Sequence, residues 1–372
     1  MKRSTLSRAT LPAALVLSLA LTACGASNED DGDDAGSTTS GSAAPELSGS
    51  LAGAGASSQA AAQEAWVAGF NNSYPDVTVA YDPVGSGGGR EQFIAGGTDF
   101  AGTDSYFKDD EGELTKAKER CGGDIVEVPA YLSPIAVAFN IEGVNSLNLG
   151  PEEIAGIFAQ KITKWNDPAL KKINPDVKLP DLKITPVNRS DESGTTNNFQ
   201  QYLAAAAPDI WTYEPDDVFP VKGGEAAQGT SGVVAAIEGG NGTIGYADAS
   251  QIGDLPAAKV GVGEEYIEYS PEAAAAVLEV STAVEGRGAT DLAYDLARDT
   301  TESGTYPIVL LSYAVACPTY DDQAKADLVK AYLTYITSAE GQQAAAESAG
   351  SAPLSQSLLD KIAPIVEGIK AG

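Results

Sequence analysis

Short apolar and β-branched runs alternate along the chain with longer segments whose apolar positions recur at helical spacing. Such runs are typical of buried strands. The predicted strands are 77–84, 124–130, 134–140, 183–188, 243–249 and 306–316. Because strands and helices alternate, the pattern predicts an α/β fold with mainly parallel sheets. In such folds, ligands bind beyond the carboxyl ends of the strands.

The intervening segments have the features of helices. The alanine-rich segment 59–72 places Trp66 and Phe70 four residues apart, and 151–159 opens with a proline and two acids, which is typical of a helix start. The predicted helices are 59–72, 90–96, 151–159, 271–284 and 322–338.

Three strand-to-helix turns are rich in Gly, Ser and Thr: LAGAGASS at 51–58, VGSGGGRE at 84–91 and NRSDESGTTNNF at 188–199. The first amides of a helix have no partner within the helix, and the helix dipole favours an anion there. The P-loop pattern is absent, and 85–90 lacks the last glycine of GxGxxG, which disfavours nucleotide binding. The turns therefore predict contacts to a smaller anion.

The turn at 188–199 has the most complete set of donors. Arg189 follows the predicted strand 183–188, and Asp191 is close enough in sequence to hold the guanidinium. Ser193, Gly194 and Thr195 then precede a helix. The planar fork of arginine suits a tetrahedral oxyanion, and glycine allows close approach of the backbone. These residues predict an anion cradle, although an N-capped surface helix with an exposed Arg–Asp pair would have the same sequence.

Composition excludes several classes of function. The 372 residues suffice for two domains. The chain has 23 Lys and Arg against 52 Asp and Glu, a formal charge of −29, which argues against nucleic acid as a partner. It has no histidine, which removes histidine-based triads and metal sites.

The N-terminus has the layout of an export signal. Residues 1–23 combine a basic start with an apolar stretch. Leu21-Thr22-Ala23-Cys24 resembles the lipobox of bacterial lipoproteins, which implies cleavage before Cys24, acylation of its thiol with palmitate and attachment to the outer face of the cell membrane. An ordinary secretory signal with a chance cysteine is the alternative. Residues 24–46 are acidic and lack apolar periodicity, which predicts a flexible tether.

The chain has three cysteines, an odd number for an exported protein. If Cys24 carries lipid, Cys121 and Cys317 remain as a pair in an oxidising compartment, where a disulfide would form. Two separately buried free thiols remain the alternative.

Taken together, the motifs make the chain similar to the phosphate-binding lipoprotein of the bacterial high-affinity phosphate ABC transporter. The resemblance runs from about Leu47 to the C-terminus. It rests on LAGAGASSQAAAQEAW, VGSGGGREQFIAGGTDFAGTDSYF, GIFAQKITKWNDPAL, NRSDESGTTNNFQQYL, GTIGYADAS and YPIVLLSYAVA. The pattern IFxxKIxxWxDP at 157–168, followed by the Arg189 segment, is the most specific part.

The resemblance implies a type II periplasmic-binding-protein fold, with two α/β lobes joined by two hinge strands within 134–140 and 306–316. Lobe I would comprise 47–139 plus 308–372, and lobe II 140–307. The protein would be a binding protein and not an enzyme. It would capture inorganic phosphate and deliver it to the permease subunits of an ABC transporter, as an extracytoplasmic monomer without cofactor or metal.

The resemblance also implies a ligand set. The phosphate-binding residues would be Ser57, Ser58, Ser86, Asp104, Arg189, Ser193, Gly194 and Thr195, with Asp191 orienting Arg189. Two positions depart from the family pattern. Ser57-Ser58 stand where Thr-Phe is usual, and Glu192 replaces a glycine. We expect the Glu192 side chain to face solvent, because a second inward carboxylate would repel the anion.

Asp104 has a chemical reason to lie in an anion site. Phosphate near neutral pH still carries a proton, which an ionised carboxylate can accept, whereas sulfate has none to give. A buried charge left without a partner costs several kcal/mol, so the carboxylate would reject sulfate. The alternative is a turn carboxylate with a structural role.

Other functions remain open from the sequence. The ligand could be another tetrahedral oxyanion. A phosphatase-like hydrolase would need a nucleophile with an activating base or a metal cluster, and the sequence shows neither. A surface adhesin with an incidental anion site is the third possibility.

Overall fold

The computed structural model describes residues 46–109 and 111–372. The predicted signal peptide (1–23), the lipidation site Cys24 and the predicted tether up to Pro45 lie outside these residues. Among the described helices, none is long and apolar enough to cross a membrane.

In the described residues, the strands are β1 (Gly49–Gly55), β2 (Val77–Asp82), β3 (Phe100–Thr103), β4 (Val126–Asn140), β5 (Asn148–Leu149), β6 (Thr185–Arg189), β7 (Glu225–Ala227), β8 (Thr243–Asp248), β9 (Lys259–Val262), β10 (Glu265–Ile267), β11 (Thr282–Ala283), β12 (Tyr294–Asp295), β13 (Val309–Ala316), β14 (Thr319–Tyr320) and β15 (Lys370–Ala371).

The helices are α1 (Ala60–Ser73), α2 (Ser86–Ile94), α3 (Glu113–Arg120), α4 (Pro151–Phe158), α5 (Pro168–Ile173), α6 (Gly194–Ala206), α7 (Gly229–Gly239), α8 (Pro271–Glu279), α9 (Gln323–Ile336), α10 (Ala339–Ala349) and α11 (Gln356–Glu367). Short 3₁₀ turns occupy Ser57–Gln59 and Ala249–Gln251.

The main sheet has eight strands in the order β2-β1-β3-β13-β4-β8-β6-β7. The pairs on both flanks are parallel, as predicted for an α/β fold. The three central pairs, β3–β13, β13–β4 and β4–β8, are antiparallel, so the expectation of mainly parallel sheets is wrong at the centre. Strand β13 runs opposite to both β3 and β4, and the second part of β4, which continues into the other half of the sheet, runs opposite to β8.

The predicted strands 124–130 and 134–140 are one continuous strand, β4. Ser133 and Pro134 interrupt the apolar pattern but not the extended backbone. Residues 126–134 of β4 pair with β13, and residues 135–140 pair with β8. Strand β4 therefore joins a first half of the sheet (β1, β2, β3, β13 and 126–134) to a second half (β6, β7, β8 and 135–140).

Helix starts and ends differ from the sequence expectation in two places. Helix α2 begins at Ser86, inside the glycine run rather than at 90, and α8 ends at Glu279 rather than 284. In α1, Trp66 and Phe70 are both fully buried, and Phe70 packs edge-on to Tyr332 with ring centroids 5.3 Å apart. The Trp–Phe spacing thus marks the core-facing side of α1.

The tryptophan motif at 157–168 builds the core of the second half. Trp165 is fully buried against Phe139, and its Nε1 donates to the Gly242 carbonyl at 3.1 Å. Asp167 caps α5 by accepting from the Ala169 amide at 2.9 Å. The residues that make this motif recognisable are therefore structural.

A disulfide joins Cys121, at the end of α3, to Cys317, just after β13. The Cα atoms are 5.2 Å apart across a sequence separation of 196 residues. This confirms the predicted pairing and excludes two separate free thiols.

If the chain is exported, as its N-terminal signal predicts, we expect peptides containing Cys121 and Cys317 to travel as one cross-linked species in an unreduced digest, because disulfides persist in an oxidising compartment. Mass spectrometry before and after reduction measures this. Recovery of two separately alkylated peptides without reductant would contradict it.

Candidate anion-binding site

The predicted Gly/Ser/Thr-rich turns meet at the ends of β1, β2, β3 and β6. The Gly85 amide donates to the Gly55 carbonyl at 2.9 Å, which joins the first two turns. Asp104 follows β3, and its amide donates to Ser86 Oγ at 3.1 Å. The start of α6 in the second half of the sheet faces this group. The carboxyl ends of four strands thus converge, as expected for a ligand site in an α/β sheet.

Helix α6 approaches so closely that its first residue must be glycine. A Cβ atom on Gly194 would lie 2.7 Å from both Asp104 Cβ and Ser86 Oγ, and 2.8 Å from the Ser105 amide nitrogen. Ser193 caps the helix by accepting from the Thr196 amide at 3.3 Å. The amide end of α6 therefore points at the Asp104 turn.

Asp104 lies at the centre of the cluster and is 3% exposed. Its Oδ1 accepts from Ser58 Oγ at 2.7 Å and from Ser312 Oγ at 2.6 Å, and its Oδ2 accepts from Thr195 Oγ1 at 2.9 Å. Burial raises the pKa of Asp104, and these hydroxyl bonds partly offset the rise. Because a carboxylate offers about four acceptor positions, one position on Oδ2 is still available to a further donor.

Arg189 is 4% exposed, which excludes the exposed Arg–Asp pair that the sequence left open. Its Nε donates to Asp191 Oδ1 at 2.8 Å, and its Nη2 pairs with Oδ2. The Gly229 amide also donates to Asp191, at 3.1 Å. Burial tends to raise the pKa of Asp191, but the pairing with Arg189 holds that pKa below its usual value. Asp191 thus orients Arg189 and takes two of its five N–H donors.

Ser57 belongs to the cluster but faces a different partner. Its hydroxyl lies 2.9 Å from Thr230 Oγ1 and accepts from the Thr230 amide at 3.2 Å, at the start of α7. Its carbonyl accepts from Gln251 Nε2 at 2.8 Å. The first turn is therefore fastened to the second half of the sheet. Glu192 is exposed, as expected from its charge.

A buried ion pair also spans the two halves. Arg90, in the glycine-rich segment, pairs with Asp217 at 2.7 Å and with Glu113 at 2.8 Å. Ser105 Oγ donates to Asp217 at 2.9 Å. Burial tends to lower the pKa of Arg90, but the two carboxylates raise it above its usual value. All three guanidinium nitrogens of Arg90 donate to protein groups, so Arg90 ties the halves together.

The sequence analysis missed four members of the cluster and its surroundings. Ser312 could have been found as a lone hydroxyl in an apolar strand, and Thr230 as a Gly-Thr-Ser helix start like the others. Asn198 and Arg298 reach the site through contacts between distant segments, and nothing local marks them.

The arrangement suits binding of an anion by hydrogen bonds. Hydroxyls, the amide end of α6 and a held guanidinium surround one carboxylate acceptor. In the part of the chain that the structure describes, no group of three or more His, Cys, Asp or Glu residues could hold a metal ion.

The chain is similar to known proteins over most of its length. The family model described as PBP superfamily domain matches residues 36–340. The phosphate-binding protein PstS2 of Mycobacterium bovis (strain BCG / Pasteur 1173P2) is 34% identical over 359 residues, covering 94% of this chain and 95% of the relative. PstS3 of the same organism is 35% identical over 328 residues, covering 85% of this chain and 86% of the relative.

Solved structures show the same fold. The high-affinity periplasmic phosphate-binding protein PfluDING, solved bound with phosphate, superposes with a TM-score of 0.67 at 19% identity, covering 84% of this chain and 93% of that one. A phosphate-binding protein from Stenotrophomonas maltophilia has a TM-score of 0.64 at 19% identity, covering 85% and 94%.

Proposed function

The chain belongs to the PBP superfamily, among the PstS phosphate-binding proteins, and from this premise we propose that it captures inorganic phosphate between two lobes at the Asp104–Arg189 cluster. It is the phosphate-binding component of an ABC phosphate importer and has the two-lobed type II periplasmic-binding fold. The captured phosphate passes to the permease subunits in the membrane. The relatives are named as binding proteins, in agreement with a role other than catalysis.

The observation that supports phosphate most directly is the environment of Asp104. A buried carboxylate with one acceptor position left lies beside a guanidinium with three uncommitted N–H groups and the amide end of α6. Such a site matches a tetrahedral oxyanion that carries both negative charge and a proton. A proton-free oxyanion such as sulfate would leave Asp104 without a donor.

The proposed ligand set keeps the residues that the resemblance implies. The side chains and amides that bind phosphate are those of Ser57, Ser58, Ser86, Asp104, Arg189, Ser193, Gly194 and Thr195, with Asp191 orienting Arg189. The Ser57 hydroxyl also contacts Thr230 in the second half of the sheet. Ser57 therefore helps to hold the two lobes together as well as to bind phosphate.

Lobe I comprises 47–139 plus 308–372, and lobe II comprises 140–307. One segment of lobe II contacts lobe I instead. Residues 288–292 bond to the first half of the sheet: the Glu127 amide donates to the Thr290 carbonyl at 3.0 Å, and the Leu292 amide to the Glu127 carbonyl at 2.8 Å. This segment therefore moves with lobe I, although its position in the chain assigns it to lobe II.

Isothermal titration calorimetry tests the function. The full chain with Cys24 replaced by serine is titrated with phosphate and with sulfate, and we expect heat of binding from phosphate alone. Equal binding of both anions would favour a general oxyanion protein. Turnover of p-nitrophenyl phosphate, with and without divalent metals, tests the hydrolase alternative, and any turnover above a heat-treated control would support it.

The N-terminus anchors the protein by acylation of Cys24, in keeping with the lipobox resemblance and with extracytoplasmic function. Cys24→Ser should release the protein from the membrane fraction and leave phosphate affinity unchanged, because the binding turns lie after the tether. Fractionation and calorimetry measure the two effects. Retention in the membrane fraction would contradict the lipid anchor.

A further inference from the structure

Arg298 differs from the other buried arginines. Arg90 and Arg189 pair with carboxylates, as does the partly buried Arg287, whose partners are Glu127 and Asp291. Arg298 is 4% exposed, yet no carboxylate among the described residues lies within ion-pair distance of it. Burial lowers its pKa to about 9. A buried cation without a carboxylate is costly, so its position calls for a compensating role.

The contacts of Arg298 are all to neutral acceptors. Its Nη2 donates to Asn198 Oδ1, its Nε to Gln201 Oε1 at 3.2 Å, and its Nη1 to the Val309 carbonyl at 2.9 Å. Asn198 and Gln201 are on the first turns of α6, and Val309 opens β13. Arg298 therefore fixes the anion-binding helix against a central strand of the sheet.

The contact with Arg298 also fixes the orientation of the Asn198 side-chain amide. A guanidinium can only donate, so it requires the oxygen of Asn198 on its side. The Asn198 Nδ2 group then faces the site and donates to the Asp104 carbonyl at 2.7 Å and to the Gly194 carbonyl at 2.8 Å. Asp104 follows a strand of the first half, whereas Asn198 and Gly194 belong to the second.

We propose that Arg298 is a positioning residue for anion capture: it orients Asn198 so that the side-chain amide clasps the Asp104 turn onto the first turn of α6. The inference rests on the proposed function.

Four variants test this by calorimetry with phosphate, and by thermal unfolding without it. Arg298→Met removes the donor that orients Asn198, and Asn198→Ala removes the amide itself. Each should weaken phosphate binding about tenfold, the value of one good hydrogen bond. Because both act through the same contact, the double variant should also lose about tenfold, rather than about a hundredfold for independent effects. Arg298→Lys retains a donor and should restore affinity to within about threefold of wild type.

Asn198→Asp separates positioning from a purely structural role. Its carboxylate keeps the contact with Arg298, and calorimetry at a temperature where the variant is folded separates its phosphate affinity from any loss of stability. The donor to the Asp104 carbonyl is lost, however, so phosphate binding should weaken by about tenfold or more. This variant also decides the matter if Arg298→Met does not fold.

Unchanged affinity in Asn198→Asp, or multiplicative losses in the double variant, would overturn the inference and leave Arg298 a structural residue. Wild-type protein that fails to bind phosphate would instead overturn the proposed function. Wild-type binding together with unaffected variants would overturn only the role of Arg298.

Discussion

Arg189→Ala should weaken phosphate binding by about 10²- to 10³-fold without abolishing it. Charge-assisted hydrogen bonds are worth about 1.5–3 kcal/mol each, and the guanidinium has three N–H groups beyond those held by Asp191. The amide end of α6 and the hydroxyls of the cluster stay in place, because Arg189 is held by Asp191 and not by them. Binding should therefore be weak but measurable by calorimetry at millimolar phosphate.

Part of this loss would come from Asp191, which the substitution leaves without its cation beside the anion. The double variant Arg189→Ala/Asp191→Asn removes that repulsion and should bind more tightly than Arg189→Ala alone. Lys164→Ala is a matched control, since it removes one positive charge from the exposed pair with Asp181. Wild-type affinity in Arg189→Ala would show that the guanidinium does not contact the anion.

The parts of the site predicted correctly from sequence are those that depend on neighbouring residues. Ser193 caps α6 and Asp191 holds Arg189, and both contacts span at most three positions in the chain. Contacts between near neighbours of this kind can be predicted from a single sequence segment. The predicted strands and most helix starts have the same origin, because an apolar run or a Pro-acid start is a short-range signal.

What could not be predicted depends on contacts between distant segments. The continuity of β4 follows from pairing with β13 on one stretch and β8 on the next, which no local pattern records. Ser312 bonds Asp104 across a separation of 208 residues, and Arg298 bonds Asn198 across 100. A buried arginine without a carboxylate gives no sequence signal, because its partners are an ordinary asparagine, glutamine and carbonyl.

Asp104→Asn should mainly reduce the selectivity for phosphate over sulfate. In the native site, a sulfate ion would place an oxygen without a proton against the ionised carboxylate, at a cost of several kcal/mol. The amide of asparagine can donate to sulfate, so this penalty disappears. We expect the ratio of phosphate to sulfate affinity to fall by at least about 10²-fold, since a repulsion of several kcal/mol corresponds to two or more factors of ten.

The affinity for phosphate should fall by no more than about tenfold to a hundredfold in Asp104→Asn. The hydroxyls of Ser58, Ser312 and Thr195 donate to the native carboxylate, and at least one of them must turn to accept from the new NH₂ group. Hydroxyls can do so by rotation, which limits the loss. The native protein gains from the carboxylate chiefly the exclusion of anions that carry no proton.

Titrating both anions against wild type, Asp104→Asn and the control Asp181→Asn separates these effects. Asp181 is an exposed aspartate paired with Lys164, so its substitution makes the same charge change away from the site. Selectivity that falls in Asp104→Asn and not in Asp181→Asn assigns sulfate rejection to the buried carboxylate. If Asp104→Asn rejects sulfate as strongly as wild type, the proton of phosphate is recognised elsewhere, and Asp104 serves only to hold the three hydroxyls in place.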